Sequence, residues 1–297
     1  MKIFLFLIVI IASLNAKKVA LLIGNQNYEN YPKLYTPIND IKEMQKLLES
    51  KGFETISLND STQREMQKNL YIFREKTSNS DISLFYYSGH GIAINDKNYL
   101  IPIDSPNINQ KSSHYYFLPL DKIIHFSSYS QASIILINAS RYFPTNKKNQ
   151  RGLIQPNVTN RNTILTFSTS IGKTTDDKNH SFSIFGKFLI NNFSSFKDIR
   201  LAIENTKREI TEESNYTQIP YIIDTYPTFL KNVPEEIQRD FQLLNKLRHW
   251  QEQMNINSIQ LKKQCSKKSD SKYSKEACQN LKEILESTKN RQKDINE

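Results

Sequence analysis

The chain has 297 residues, of which 38% are hydrophobic and 24% charged, so it can form one large domain with an appendage or two modest domains. Its net charge of +10 raises the question of an anionic partner. The lysines are scattered, with only short runs such as Lys147-Lys148, and no aromatic residues alternate with basic ones in a stripe. We therefore expect a solvated basic surface and no nucleic-acid partner.

The N-terminus predicts a signal peptide over residues 1–16. Met1-Lys2 precedes the apolar run "IFLFLIVIIA", and "SLNA" follows it. This run is too short for a membrane span, which needs about 20 residues, and the layout is that of a secretory signal. We expect cleavage after Ala16 and export to the periplasm or the medium. Leu14 stands where a small residue is usual, so an uncleaved anchor is the alternative.

After Ala16 the sequence alternates strand patterns with helix patterns. Several of the strands are apolar throughout, which is typical of an open, mostly parallel sheet covered by helices on both faces. The fold class predicted is therefore α/β. Strands are expected at 19–23, 53–58, 81–91 (ending in the Gly-flanked His90), 133–140, 162–170 and 219–224, an extended segment at 98–104, and helices at 37–53, 61–78, 119–128, 182–193 and 196–213.

Two residues with reactive side chains come directly after consecutive predicted strands. His90 lies just past the third strand, in "YYSGHG", and Ser140 just past the fourth, in "IILINASR". Reactive groups of open parallel sheets sit beyond the carboxyl ends of strands. The topology therefore places His90 and Ser140 on the same edge of the sheet.

Six segments in this order resemble the caspase–metacaspase family of cysteine endopeptidases, peptidase family C14. They are "KKVALLIGNQNY", "PINDIKEMQKLLESKGFE", "ISLFYYSGHG", "IILINASR", "NHSFSIFGKFLINNF" and "NYTQIPYIID". The resemblance covers residues 17–230. It implies a caspase-like three-layer sandwich and a catalytic apparatus that uses no cofactor.

The resemblance also assigns roles to individual positions. His90 matches the catalytic base, and Gly91 matches the residue whose backbone N–H helps to hold the oxyanion. Bacterial members usually read Asp-Ala-Cys-Arg where this chain reads Asn138-Ala139-Ser140-Arg141. Ser140 therefore occupies the position of the nucleophilic cysteine. Asn138 occupies that of an acid that resembles a binding group for a basic substrate residue.

These two changes predict a catalytically inactive pseudo-protease that still binds a peptide or protein. A serine hydroxyl is far less acidic than a thiol and needs a well-oriented histidine, usually fixed by a carboxylate. The alternative is a weakly active endopeptidase or esterase that uses Ser140 and His90 and cleaves after a basic residue. Asp176-Asp177 could bind a cation such as calcium, but a solvated loop is the expected interpretation, so no metal site is predicted.

From 235 to 297 the strand signal disappears and the pattern predicts a C-terminal helical hairpin. Cys265 and Cys278 are the two cysteines of the chain, and in an exported protein they favour one disulfide over two free thiols. A hairpin this narrow needs to dock on the main domain or on a partner to bury its apolar stripe, so an envelope protein is a possible partner. The oligomeric state is not predicted.

Overall fold

The computed structural model describes residues 16–108, 113–139, 152–173, 180–195 and 198–225. The strands in these residues are β1 (Lys18–Gly24), β2 (Phe53–Asn59), β3 (Ile82–Ser88), β4 (Gly91–Ile94), β5 (Lys97–Leu100), β6 (Leu118–Pro119), β7 (Ala132–Asn138), β8 (Thr163–Phe167) and β9 (Tyr221–Asp224). The helices are α1 (Pro37–Ser50), α2 (Gln63–Thr77), α3 (Leu120–Ser127), α4 (Ile184–Ser195) and α5 (Ile199–Glu213), with a 3₁₀ turn at Ser113–Tyr116.

The main sheet has the strand order β2-β1-β3-β7-β8-β9. All pairs are parallel except β8 with β9, which is antiparallel. The predicted α/β class with a mostly parallel sheet is therefore confirmed. The register aligns Gly24 with Ser88 and Ser88 with Asn138. Three neighbouring strands thus end at one level, and we call this edge the rim.

Helices cover both faces of the main sheet, because each buried strand sends alternate side chains to opposite sides. On β1, Leu21 and Ile23 join a core with residues of α2 and α3, whereas Ala20 and Leu22 join a core with residues of α1, α4 and α5. Residues of both faces are fully buried, which explains why these strands read as continuous apolar runs in the sequence.

A small antiparallel sheet, β4-β5-β6, extends from the rim and was not predicted. Strands β4 and β5 are joined by Asn95-Asp96, both of which have positive φ values of 48° and 58°. Two residues with φ above zero form the type I′ turn that suits a tight hairpin. The strands have four residues each, too few for a periodic pattern, so the sequence indicated only an extended segment. This hairpin begins at Gly91 and so fixes the segment that carries His90.

Several predictions lie outside the described residues. They concern residues 1–15 of the signal peptide, Ser140, the Asp176-Asp177 pair, the helical extension over 235–297 and the Cys265–Cys278 disulfide. Each helix in the described ranges is too short or too polar to span a lipid bilayer.

Candidate functional site

The two strand ends that carry the predicted site are in direct contact. The Gly89 N–H donates a hydrogen bond to the Asn138 carbonyl oxygen at 3.1 Å. A Cβ atom added to Gly91 would lie 2.8 Å from the Ala139 Cβ, which real Cβ atoms do not tolerate. The segment around His90 is thus packed on Ala139, the last described residue before position 140. Ser140 itself lies outside the described residues.

His90 is held in one orientation by a backbone carbonyl. The ring is 1% exposed, and its Nε2 lies 2.8 Å from the Pro32 carbonyl oxygen. A carbonyl oxygen only accepts, so Nε2 must carry the hydrogen, and Nδ1 is then the basic nitrogen of the neutral ring. The group that binds Nε2 is therefore a neutral backbone carbonyl. Sequence reasoning missed it because a backbone oxygen leaves no residue signature.

Two tyrosine hydroxyls hold the backbone of the same histidine. The His90 N–H donates to the Tyr28 hydroxyl at 2.7 Å, and the Tyr87 hydroxyl donates to the His90 carbonyl at 2.9 Å. The two hydroxyls are 3.2 Å apart. A Cβ on Gly89 would lie 2.5 Å from the Tyr87 hydroxyl and 2.6 Å from that of Tyr28. Glycine at position 89 therefore permits both hydroxyls to approach.

Tyr28 also packs its ring against the imidazole, with centroids 4.6 Å apart. Tyr31 lies further away, at 6.2 Å, and its hydroxyl donates to the Pro106 carbonyl. Burial raises the pKa of Tyr31, so this phenol stays neutral. We infer that Tyr28 is a positioning residue for His90, which the sequence did not reveal.

Replacing Tyr28 with phenylalanine should loosen His90 while keeping the ring contact. The buried His90 N–H loses its acceptor, which should lower stability by about 1 kcal/mol and speed exchange of that amide by about tenfold. Amide hydrogen exchange and urea unfolding measure both effects. Tyr31→Phe is the control, since it removes a neighbouring hydroxyl that donates to the Pro106 carbonyl, while the His90 N–H donates to Tyr28. Unchanged exchange of the His90 amide in Tyr28→Phe would contradict this role.

Asn138 lies in a buried polar cluster under the rim. It is 1% exposed, and its Nδ2 lies 2.9 Å from the Ser183 Oγ, 3.3 Å from the Ser88 Oγ and 3.4 Å from the Asp40 Oδ2. Asn138 was predicted at a substrate-binding position. The structure places it beside a carboxylate contributed by α1, near the histidine segment but below the surface.

Asp40 is the fully buried carboxylate of this cluster. Its Oδ1 accepts the Ser183 N–H at 3.0 Å, and its Oδ2 accepts the hydroxyls of Ser183 at 2.6 Å and Ser88 at 3.2 Å. Ser183 also accepts the Gly186 N–H and so caps α4. A Cβ on Gly186 would collide with Asp40. The carboxylate lies near the first turns of α1 and α4, where the helix dipoles favour negative charge.

Sequence analysis did not identify Asp40 as a candidate site residue. It appeared only within "PINDI", a helix start, where an acidic residue is ordinary. In the described part of the chain, no group of three or more histidine, cysteine, aspartate and glutamate side chains could hold a metal ion.

Comparison with known families agrees with this arrangement. A model of the caspase domain of peptidase family C14 matches residues 17–229. The chain belongs to the caspase-domain family. This confirms the resemblance found in the sequence, and it makes the Asn138-Ala139-Ser140 departure the central question about this caspase domain.

Individual relatives support the same family. The human mucosa-associated lymphoid tissue lymphoma translocation protein 1 is 40% identical over 90 residues, which is 30% of this chain and 11% of that protein. Its mouse homologue is 39% identical over the same length. The matched segment therefore covers about a tenth of the length of each of these curated relatives. The crystal structure of the Drosophila initiator caspase Dronc aligns with a TM-score of 0.52 at 12% identity, covering 70% of this chain and 79% of Dronc, and shows a shared fold.

Proposed function

We propose that this caspase domain is an exported pseudo-protease that binds a peptide or protein and no longer cleaves it. The observation that carries the proposal is the pairing of Ser140 in the sequence with a histidine fixed by a carbonyl, at 2.8 Å from Pro32. The Pro32 carbonyl supports a base role for His90, because it leaves Nδ1 basic. At position 140, where the resemblance places the cysteine nucleophile that this histidine would serve, the sequence has serine, and residues 17–230 contain no cysteine.

The chemistry of the two nucleophiles explains the expected loss. A thiol has a pKa of about 8.5 and is readily driven to thiolate. A serine stays protonated until attack, so the histidine must take its proton during the step and become an imidazolium. A carboxylate partner stabilises that cation, and impairing such a partner in serine proteases costs about 10⁴-fold in rate. The Pro32 carbonyl fixes the tautomer but carries no net charge.

Peptide binding is supported by what remains around the rim. The Gly91 backbone can still offer an N–H to a peptide carbonyl, because such a donor needs no side chain. The neutral Asn138 replaces the acid that the resemblance places at this position. The carboxylate of Asp40 lies 3.4 Å from the Asn138 amide nitrogen and can still attract a basic side chain. We therefore propose a preference for a ligand with an arginine or lysine side chain. Export through the signal peptide, and docking of the C-terminal hairpin on an envelope partner, belong to the same proposal.

A serine-directed phosphonate with an arginine side chain tests the proposal directly. We expect mature protein to show no adduct at Ser140 by mass spectrometry, while reversible binding of the corresponding arginine peptide is measurable by calorimetry. The alternative, a slow Ser140/His90 hydrolase, predicts an adduct at Ser140 that disappears in His90→Ala. That result would overturn the pseudo-protease proposal. Absence of both adduct and binding would overturn the peptide-binding part.

A further inference from the structure

An exposed surface of aromatic and basic side chains lies on the α2–α3 face of the sheet, away from the rim cluster. It consists of Tyr71 and Arg74 on α2, Lys122 and His125 on α3, and Tyr129 just after α3. The two tyrosines are large exposed rings, 48% and 42% accessible. We call these five residues the α2–α3 surface. The sequence does not show it, because its two halves are about 50 positions apart, as the Tyr71–Lys122 hydrogen bond illustrates.

The cations of this surface are held on aromatic rings. Lys122 Nζ lies 4.4 Å from the centroid of the Tyr71 ring and donates to the Tyr71 hydroxyl at 3.1 Å. The Arg74 guanidinium lies 5.1 Å from the Tyr129 ring and 5.5 Å from that of Phe126. These distances are those of cation–π contacts, which fix a long side chain without neutralising it. The positive charges are therefore pre-oriented.

Among the described residues, Arg74 and Lys122 have no carboxylate that balances their charges. Other basic residues, such as Lys46, Lys76, Arg200 and Arg208, form salt bridges with carboxylates. Within the described ranges, neither Arg74 nor Lys122 does so. Two oriented cations that form no salt bridge within the described part of the chain, flanked by exposed tyrosines, give a surface that complements negative charge.

We propose that the α2–α3 surface docks an acidic segment of a partner protein. Tyrosine and arginine are enriched among the residues that dominate binding energy at protein interfaces. Tyrosine buries a large area with little loss of conformational freedom, and the Arg74 side chain is already held over the rings of Phe126 and Tyr129. Carboxylates of the partner would bind Arg74 and Lys122, and its apolar side chains would pack against those parts of the Tyr71 and Tyr129 rings that the two cations leave accessible, which requires no whole ring face. Single-stranded nucleic acid fits less well, because it needs open ring faces for base stacking. Here Lys122 and Arg74 already lie over these rings.

The proposal is independent of the rim and of any cleavage, so it is tested separately. The probe is a short fluorescein-labelled peptide that alternates glutamate with phenylalanine, added to the full mature chain. We expect Arg74→Gln/Lys122→Gln to weaken its binding by about tenfold or more, because charge-assisted hydrogen bonds are lost. The matched control is Lys46→Gln/Lys187→Gln on the α1–α4 face. It removes the same charge and includes a cation held 4.9 Å from the Phe188 ring.

The control variant should bind within about twofold of wild type at 0.15 M salt, where long-range charge effects are screened. A peptide with glutamine in place of glutamate should not bind. Equal weakening in both double variants would show attraction to overall charge and would overturn the proposal. So would failure of wild type to bind the acidic peptide, or tighter binding of single-stranded oligothymidylate than of the peptide. Thermal unfolding verifies that both variants are folded.

Discussion

Ser140→Cys should convert the caspase domain into a peptidase that cleaves after arginine or lysine. The thiol has a pKa of about 8.5, so His90 can draw its proton before attack, which a serine hydroxyl does not allow. His90 is already oriented to act as the base, because the Pro32 carbonyl keeps the hydrogen on Nε2 and leaves Nδ1 basic. We expect hydrolysis of a fluorogenic arginine peptide to rise by about 10³-fold over wild type.

The matched control for this gain is Ser140→Cys combined with His90→Ala. It keeps the thiol and removes the base, so the new activity should fall by about 10² to 10⁴-fold. Alkylation at position 140, mapped by mass spectrometry to separate it from Cys265 and Cys278, reports thiolate formation without any substrate. An alkylation rate equal to that of a free thiol, unchanged by His90→Ala, would show that His90 does not reach this position. Cleavage would then have been lost through geometry as well as chemistry.

The sequence was sufficient to predict the main sheet, because its central strands are buried. Strands β1, β3 and β7 are buried on both faces, and each is a run of mainly apolar residues that ends in glycine, serine or asparagine, a pattern typical of a buried strand. Parallel strands that end in register then place His90 and Ala139 on one edge, so topology alone located the candidate site.

The partners of the site residues could not be predicted, because each depends on contacts between distant segments. Pro32 acts through its backbone oxygen, and Tyr28 reaches His90 across 62 positions. Ser183 binds Asp40 across 143 positions, and nothing in "PINDI" distinguishes a buried carboxylate from a solvated one. The α2–α3 surface could not be predicted for the same reason, because α2 supplies two of its residues and α3 with the segment just after it supplies the other three. Sequence patterns and motifs identify strands, helices and reactive residues. They do not identify the side chains and carbonyl oxygens that orient those reactive residues.

Asn138→Asp is expected to destabilise the unliganded domain, although it restores the residue usual in the family. The new carboxylate would face Asp40 Oδ2, which now lies 3.4 Å from the Asn138 amide nitrogen in a fully buried site. Two buried carboxylates at this distance cannot both ionise, so one must retain a proton, and its pKa in the folded state exceeds the unfolded value of about 4. We expect a loss of about 2 to 4 kcal/mol in unfolding free energy at neutral pH.

The stability loss of Asn138→Asp should grow as the pH rises. Because the raised pKa belongs to the folded state, the variant should be closest to wild type below about pH 4 and should lose stability as the pH rises towards about 8. Urea unfolding of both proteins across this range measures the difference. A loss that does not change with pH would contradict the paired-carboxylate explanation and indicate a packing defect instead.

The exchange variant Asp40→Asn/Asn138→Asp isolates the interaction between the two side chains. It keeps one carboxylate and one amide in the same cluster, so most of the lost stability should return and the pH dependence should disappear. A guanidinium ligand such as benzamidine should stabilise Asn138→Asp more than wild type, because a bound cation lets both carboxylates ionise. If that occurs, the cluster under the rim opens to a basic side chain. Asn138 then explains how this caspase domain keeps Asp40 buried and stable when no ligand is bound.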